Sequence, residues 1–150
     1  MTTTIDELQT IIEKYSPLLK MVSDADYAKK PLPHKWSKKE ILGHLVDSAQ
    51  NNIRRFIVGQ YEDGPQITYQ QDEWVSICNY QEYPVQSLIQ LWQLLNRHIC
   101  IILAHTAAEK QNKTVFTSEP HTIAWIAADY NKHLLHHLHQ VLDMEPVAYP

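Results

Sequence analysis

Apolar residues recur at helical spacing in four parts of the chain, and each part predicts one amphipathic helix. The first helix is predicted over 5–22. The next segment, DYAKKPLPHKW, carries two prolines and is predicted to be a connection without regular helix. A second helix is predicted over 37–58, because Ser37 can cap its start while Glu40, three residues later, completes a capping box.

A third and a fourth helix follow after a long intervening segment. The connection over 59–84 is too long for a tight turn, so it is predicted to cross the length of the bundle, with one short helix around QDEWVSI. The third helix is predicted over 84–109, with a proline at its first position. A polar loop is predicted over 110–121, and Thr122 is predicted to cap the fourth helix.

Four amphipathic helices with one long central connection predict an all-α fold, a four-helix bundle with a crossover between helices two and three. The chain has 150 residues, which suits a single domain over 1–150 with one core. Only three glycines are present, and this scarcity also favours helix over strand and turn.

Charge and composition exclude several classes of partner. The formal net charge is -4 and the lysines and arginines are scattered, so neither nucleic acid nor an anionic membrane is an expected partner. No stretch is apolar enough to span a membrane, and the N-terminus lacks the pattern of a signal peptide, so a cytoplasmic protein is expected. Cys78 and Cys100 form no metal-type pair, and Cys100 is expected in the core as a reduced thiol.

The stretch NKHLLHHLHQ, over 131–140, holds four of the nine histidines. On a helical wheel, His133 and His137 border the inward face of the fourth helix. His136 and His139 fall on the other side, where we expect them to face solvent or another subunit. The two inward histidines stand one turn apart, a spacing at which two imidazoles can coordinate one metal ion. The alternative is that they are hydrogen-bonded polar residues without a metal.

The second helix carries a row of polar residues along the edge of its apolar face. His44, Ser48, Asn52 and Arg55 fall on this row, so His44 is a candidate third ligand. The alternative is that His44 is a hydrogen-bonded core histidine and that Ser48 and Asn52 bridge helices.

The segments WSKKEILGHLVDSAQNN and DYNKHLLHHLHQVL, in this order, resemble the DinB/YfiT-like superfamily of four-helix metalloproteins. That superfamily has the pattern W-S-x-x-E-x-L-x-H-L-x-D on helix two and H-x-x-H-H-x-x-Q on helix four. The middle segment, TYQQDEWVSICNY followed by PVQSLIQLWQLLNRH, is similar to the YfiT-like branch, although its acidic pattern is less regular here. The resemblance spans nearly the whole chain.

The resemblance implies a metal site with three ligands, which fall on His44, His133 and His137. These are the same three residues that the helical wheels place on the inward faces. The resemblance also implies a small-molecule substrate and a homodimer. The aromatic residues of the crossover could serve such an interface or pack within one chain; they are Tyr61, Tyr69, Trp74 and Tyr80.

Three neutral imidazoles leave at least one coordination position open, the arrangement of a catalytic zinc or nickel ion. Water at this position becomes hydroxide near neutral pH and can hydrolyse a small substrate. A thiol at the same position is deprotonated, which suits transfer of a low-molecular-weight thiol such as bacillithiol or mycothiol, as some relatives perform. The sequence leaves both reactions open, together with a non-catalytic metal-binding or stress-response protein whose ion stabilises the bundle.

No general base is assigned from the sequence. Glu40 is explained by the capping box, and Asp47 points away from the inferred site, which predicts a surface residue or an indirect contact of a ligand. Ser48, Asn52 and Arg55 are the candidates for orienting substrate, although Arg55 could instead lie at the surface with a buried stem.

Overall fold

The computed structural model describes residues 1–149. Four long helices and two short ones account for most of the chain, together with a two-stranded hairpin and two turns of 3₁₀ helix, Tyr80–Glu82 and Ala108–Lys110. The helices are α1 (Thr2–Met21), α2 (Asp24–Ala28), α3 (Lys38–Tyr61), α4 (Gln71–Cys78), α5 (Val85–Ala104) and α6 (Ile123–Val141), and the strands are β1 (Thr114–Phe116) and β2 (Pro120–Thr122).

The four long helices form the predicted four-helix bundle. Helix α3 packs against α5 and α6, and α1 packs against the same two helices from the other side. The segment between α3 and α5 is the predicted crossover, and it includes the short helix α4 around the predicted position. The apolar faces meet in one core whose largest fully buried side chains include Trp92, Tyr27 and Phe56. Removal of one such ring typically destabilises a fold by about 3–5 kcal/mol.

Hydrogen bonds at the N-termini of α3 and α6 confirm the caps predicted for these two helices. Ser37 Oγ accepts a hydrogen bond from the backbone of Glu40, and the Glu40 side chain accepts one from the backbone of Ser37. The hydroxyl of Thr122 accepts from the backbone N–H of Trp125 at the start of α6. These caps fix where α3 and α6 begin, and therefore which of their residues face each other.

Three of the predicted elements are wrong in detail. Helix α5 ends at Ala104 rather than near residue 109, and Pro84 is its N-cap residue rather than its first helical residue. Helix α2 (Asp24–Ala28) overlaps the start of DYAKKPLPHKW, where a connection without regular helix was predicted. The helix forms because Ser23 caps it and Tyr27 is buried. Five residues are too few to show a helical pattern of apolar positions.

The third wrong detail is the polar loop before α6, which contains the hairpin of β1 and β2. Its first strand also joins the crossover, since the backbone of Phe116 exchanges hydrogen bonds with Pro65 and Ile67. Val115 lies buried beneath it, next to Gly59 of α3. The hairpin therefore depends on contacts with a segment about fifty positions earlier, which local sequence cannot show.

The crossover aromatics are packed to different degrees within the chain. Tyr80 is buried, Tyr69 and Trp74 are half-buried, and Tyr61 is exposed. Cys100 is buried as predicted, and Cys78 is exposed. Among the helices described over 1–149, none is both long enough and apolar enough to span a bilayer.

Candidate metal centre

Packing of α3 against α6 brings three histidines together. His44 projects from the second turn of α3, and His133 and His137 stand one turn apart on the facing side of α6. One nitrogen from each imidazole lies within 4.8 Å of the other two. Nε2 of His44 is 3.0 Å from Nε2 of His133, and the three ring centroids are 4.6 to 5.0 Å apart. The structure therefore places side by side the three residues that the wheels and the resemblance selected.

The environment of these rings keeps them neutral. His44 is buried, and burial, followed by the nearby charge of His137, lowers its pKa to about 4. Burial and the neighbouring histidines lower the pKa of His133 to about 2, and burial lowers the pKa of His137. Near pH 7 the three imidazoles are uncharged, which is the protonation state that binds metal ions.

A chain of hydrogen bonds fixes the orientation of His137. His136 donates from Nδ1 to the carbonyl of Val147 at 2.6 Å, and Gln140 Nε2 donates to Nε2 of the same imidazole at 3.1 Å. The other end of the Gln140 amide, Oε1, accepts from Nδ1 of His137 at 2.7 Å. A carbonyl oxygen can only accept, so the proton of His137 is on Nδ1 and its Nε2 lone pair is free for a ligand role.

The expectation that His136 and His139 face solvent or another subunit holds only in part. The C-terminal segment, residues 143–149, folds back over them, and both rings are half-buried. His139 donates from Nδ1 to the carbonyl of Glu145 at 2.7 Å and accepts at Nε2 from the hydroxyl of Tyr15 at 2.7 Å. The wheel could not show this contact, because the covering segment follows the helix and has no periodic pattern.

The expectation for Asp47 is also corrected, because its side chain is fully buried. Its Oδ1 accepts a hydrogen bond from the hydroxyl of Tyr80 at 2.5 Å, and burial raises the pKa of the carboxyl to about 6. The wheel pointed Asp47 away from the histidines correctly, but the crossover covers that side of α3 as well. Glu40 serves the capping box as predicted.

A cavity of about 450 Å³ opens beside His133 and His137. All three predicted substrate residues, Ser48, Asn52 and Arg55, line this cavity, and they form its polar side along α3. Residues that the sequence did not single out as parts of the site complete its walls. They come from the crossover, the hairpin, α6 and the C-terminal segment, and they include Tyr69, Thr117, Ser118, His121, Trp125, Asp129 and Tyr149.

The three predicted substrate residues differ in their free hydrogen-bonding groups. Ser48 Oγ lies 3.5 Å from Nδ1 of His133 and accepts from Asn52 Nδ2 at 3.3 Å. Asn52 also donates to the carbonyl of Ser48 at 2.9 Å, and its Oδ1 accepts from Arg55. Ser48 thus supports His133, and Asn52 supports Arg55. Arg55 keeps further N–H groups that can donate to a ligand.

The residues present fit a divalent zinc or nickel ion. One nitrogen from each of the three neutral imidazoles lies within 4.8 Å of the other two, and an outer hydrogen bond sets the tautomer of His137. Imidazole nitrogen is a donor type that suits both metals. Nδ1 of the buried His44 has no hydrogen-bond partner within residues 1–149, and its Nε2 faces Nε2 of His133 at 3.0 Å.

The protein is therefore a helical bundle in which two helices hold a three-histidine cluster beside a polar cavity. The family model described as the DinB superfamily matches residues 7–141. The chain belongs to the DinB superfamily, as the resemblance of its motifs implied.

One similar protein from Oceanobacillus iheyensis is named "Putative metal-dependent hydrolase OB0782". The two chains are 26% identical over 109 residues, which are 69% of this chain and 63% of that relative. The match therefore spans less than two thirds of the relative's own length.

Two solved structures have the same fold. YfiT from Bacillus subtilis, described as a probable metal-dependent hydrolase with an unusual four-helix bundle topology, superposes with a TM-score of 0.86 at 18% identity, covering 95% of this chain and 83% of YfiT. A mycothiol-dependent maleylpyruvate isomerase superposes with a TM-score of 0.77 at 13% identity, covering 98% of this chain and 61% of that one. At these identities the likeness establishes the bundle fold.

Proposed function

We propose that this protein is a metal-dependent hydrolase of a small molecule, with His44, His133 and His137 as the ligands of one divalent zinc or nickel ion. The observation that carries the proposal is the convergence of three neutral imidazoles at the wall of a polar cavity. The name of the Oceanobacillus relative supports the same reaction class. When bound, such an ion supplies Lewis-acid chemistry, lowering the pKa of a water or thiol at its open position.

The residues of the chain then have distinct tasks. Gln140 holds Nε2 of His137 toward the cluster, and Ser48 supports His133. Among the described residues that line the cavity, Asp129 carries the only carboxylate, and it accepts a hydrogen bond from Tyr149 at 2.7 Å. We assign to Asp129 the role of accepting a proton from the attacking group, and to Arg55 the orientation of substrate.

Transfer of a low-molecular-weight thiol is the second candidate, and one observation favours it. A second cavity of about 440 Å³ is lined by Lys35, Trp36 and Gln140 among others, and it shares only Gln71 and His137 with the first. Two openings at one histidine cluster allow a thiol and an electrophile to approach separately. The mycothiol dependence named for the structurally similar isomerase agrees with this candidate.

The metal content of protein purified without an affinity tag tests the site. We expect about one divalent ion per chain, lost in His133→Ala and kept in the control His98→Ala, whose imidazole is exposed on α5. Full loading of a variant that lacks all three histidines contradicts the proposal.

Turnover then separates the reactions. Hydrolysis of p-nitrophenyl esters by the loaded wild type but not by His133→Ala supports the hydrolase, and conjugation of bacillithiol to monochlorobimane supports transfer. If chelation lowers the stability and neither reaction occurs, a structural ion in a non-catalytic metal-binding or stress-response protein is the better account. We propose a homodimer as the assembly, which light scattering tests.

A further inference from the structure

Arg55 presents a positively charged group to the cavity, and the protein holds that group from one side. Its Nε and Nη2 donate to the carbonyl of Ile67 at 3.2 and 3.1 Å, and its Nη1 donates to Oδ1 of Asn52 at 3.3 Å. Asn52 is itself fixed by its bond to the carbonyl of Ser48. The guanidinium therefore has a set orientation between α3 and the crossover.

No carboxylate within residues 1–149 forms a direct ion pair with this cation, although Asp129 favours its charged form from a longer distance. The ion pairs of the described residues all involve lysines, and no acidic oxygen lies within 4.0 Å of Arg55. A guanidinium has five N–H donors, of which the protein engages three. Burial lowers the pKa of Arg55, and Asp129 offsets this only in part, so an anionic ligand in direct contact with the guanidinium would stabilise its charge further.

The position of Arg55 relates it to the histidine cluster. Ser48 lies beside His133, Asn52 is one turn further along α3, and the guanidinium lies against Asn52. With a pitch of about 5.4 Å per turn, the free N–H groups lie on the order of 5 to 10 Å from the cluster. A small molecule can span this distance within one cavity of about 450 Å³.

We infer that Arg55 binds a carboxylate of the substrate, so that the substrate class is a small monocarboxylate whose reacting atom lies at the histidine cluster. The two remaining N–H groups match the two oxygens of one carboxylate. Asp129 lines the same cavity and repels anions, so the direct contact with Arg55 can offset this repulsion for one negative charge more readily than for two. The inference rests on the proposed function only in taking this cavity as the substrate site.

Binding of benzoate and of its neutral counterpart benzamide tests the inference, measured by NMR titration. Chelator-treated and zinc-loaded protein are compared, because a carboxylate can also bind an ion directly. We expect benzoate to bind both forms, and Arg55→Gln to weaken binding to the chelator-treated form about 10- to 100-fold. Benzamide binding should change little. Arg54→Gln, which removes the same charge at the exposed neighbouring position, should bind benzoate as the wild type does.

Arg55→Lys covers the case in which Arg55→Gln does not fold, since the carbonyl of Ile67 then loses its donors. The lysine keeps the charge without the planar pair of donors, and we expect benzoate to bind at least about fivefold more weakly than to wild type. The zinc content of the Arg55 variants should stay at the wild-type value. If the wild-type protein does not bind zinc, that result counts against the proposed function and not against the carboxylate site.

Four results overturn the inference. They are no benzoate binding to wild type, equal binding by wild type and the Arg55 variants, an equal loss in Arg54→Gln, and an equal loss for benzamide. Tighter, Arg55-dependent binding of methyl phosphate would overturn the choice of a carboxylate.

Discussion

Nε2 of His44 and Nε2 of His133 lie 3.0 Å apart, although the two residues are 89 positions apart in the chain and belong to different helices. Without an ion, two neutral imidazoles can satisfy this approach only if one of them donates its proton to the other. An ion that accepts both lone pairs removes that constraint and joins α3 to α6. Metal binding should therefore affect the stability of the bundle as well as any reaction.

The first prediction follows from this link between helices. Zinc at about 100 times its dissociation constant should stabilise the fold by about 2.7 kcal/mol, because the cluster exists only in the folded chain. For a protein of this size we expect a rise of about 5 to 10 °C in melting temperature over chelator-treated protein. The variant with all three histidines replaced by alanine should show no rise. An equal rise in that variant would place the ion elsewhere.

The second prediction concerns pH in the metal-free protein. Because burial lowers the pKa of His44 from 6.5 to about 4, the unfolded chain binds more protons than the folded one between these values. Stability is therefore fully present above about pH 6.5 and is lost as pH falls toward 4, by about 3 kcal/mol from this residue. Urea unfolding at pH 5 and pH 7 measures the loss. His44→Gln should reduce the difference between the two pH values, and an unchanged difference contradicts the assigned cause.

Local signals account for what the sequence could predict. The starts of α3 and α6 follow from Ser37, Glu40 and Thr122, whose bonds span only three residues. The helical wheels placed His44, His133 and His137 at the inward faces of two helices, but left open that His44 is a hydrogen-bonded core residue. The resemblance to a family with a three-histidine site joined them into one cluster.

The features that the sequence did not predict depend on distant parts of the chain. Asp47 is buried by Tyr80, 33 positions later in the crossover, and His136 is covered by Val147, which follows the last helix. Neither partner belongs to a periodic pattern. A helical wheel describes one helix in isolation, so it cannot show a side that an irregular segment covers.

The third prediction concerns Gln140, which fixes the tautomer of His137. Gln140→Leu removes the acceptor for Nδ1 of His137 and the donor to His136. Loss of such an outer contact typically weakens metal affinity about 10- to 100-fold, and we expect that loss in a zinc competition titration. Gln90→Leu, at an exposed position on α5, is the matched control. Equal zinc affinities for the two variants would contradict the role of Gln140.

The fourth prediction concerns Gly43, one residue before His44. The ring of Tyr80 lies against its backbone, and a Cβ at this position would overlap the ring. Gly43→Ala should therefore destabilise the protein by about 1–3 kcal/mol despite the better helix propensity of alanine. In a Tyr80→Ala background the same change should be neutral or stabilising. A double-mutant cycle by urea unfolding measures the coupling, and additive effects would show that the ring does not restrict Gly43.

The fifth prediction concerns the buried pair of Asp47 and Tyr80, and it has the opposite pH sign to the histidines. Burial raises the pKa of Asp47 from 3.8 to about 6, so the folded chain binds more protons than the unfolded one between these values. The stability from this group is fully present below about pH 3.8 and is lost as pH rises through 6, by about 3 kcal/mol. Asp47→Asn cannot titrate, and its amide oxygen can still accept from the Tyr80 hydroxyl.

The stability of Asp47→Asn relative to wild type should therefore increase between pH 4.5 and pH 7.5, as measured by urea unfolding of chelator-treated protein. Comparing the two proteins at each pH cancels the histidine contribution, which both share. Asp72→Asn, at an exposed position on α4, should show no such change, and a constant difference for Asp47→Asn would mean that its carboxyl is not held protonated by the fold.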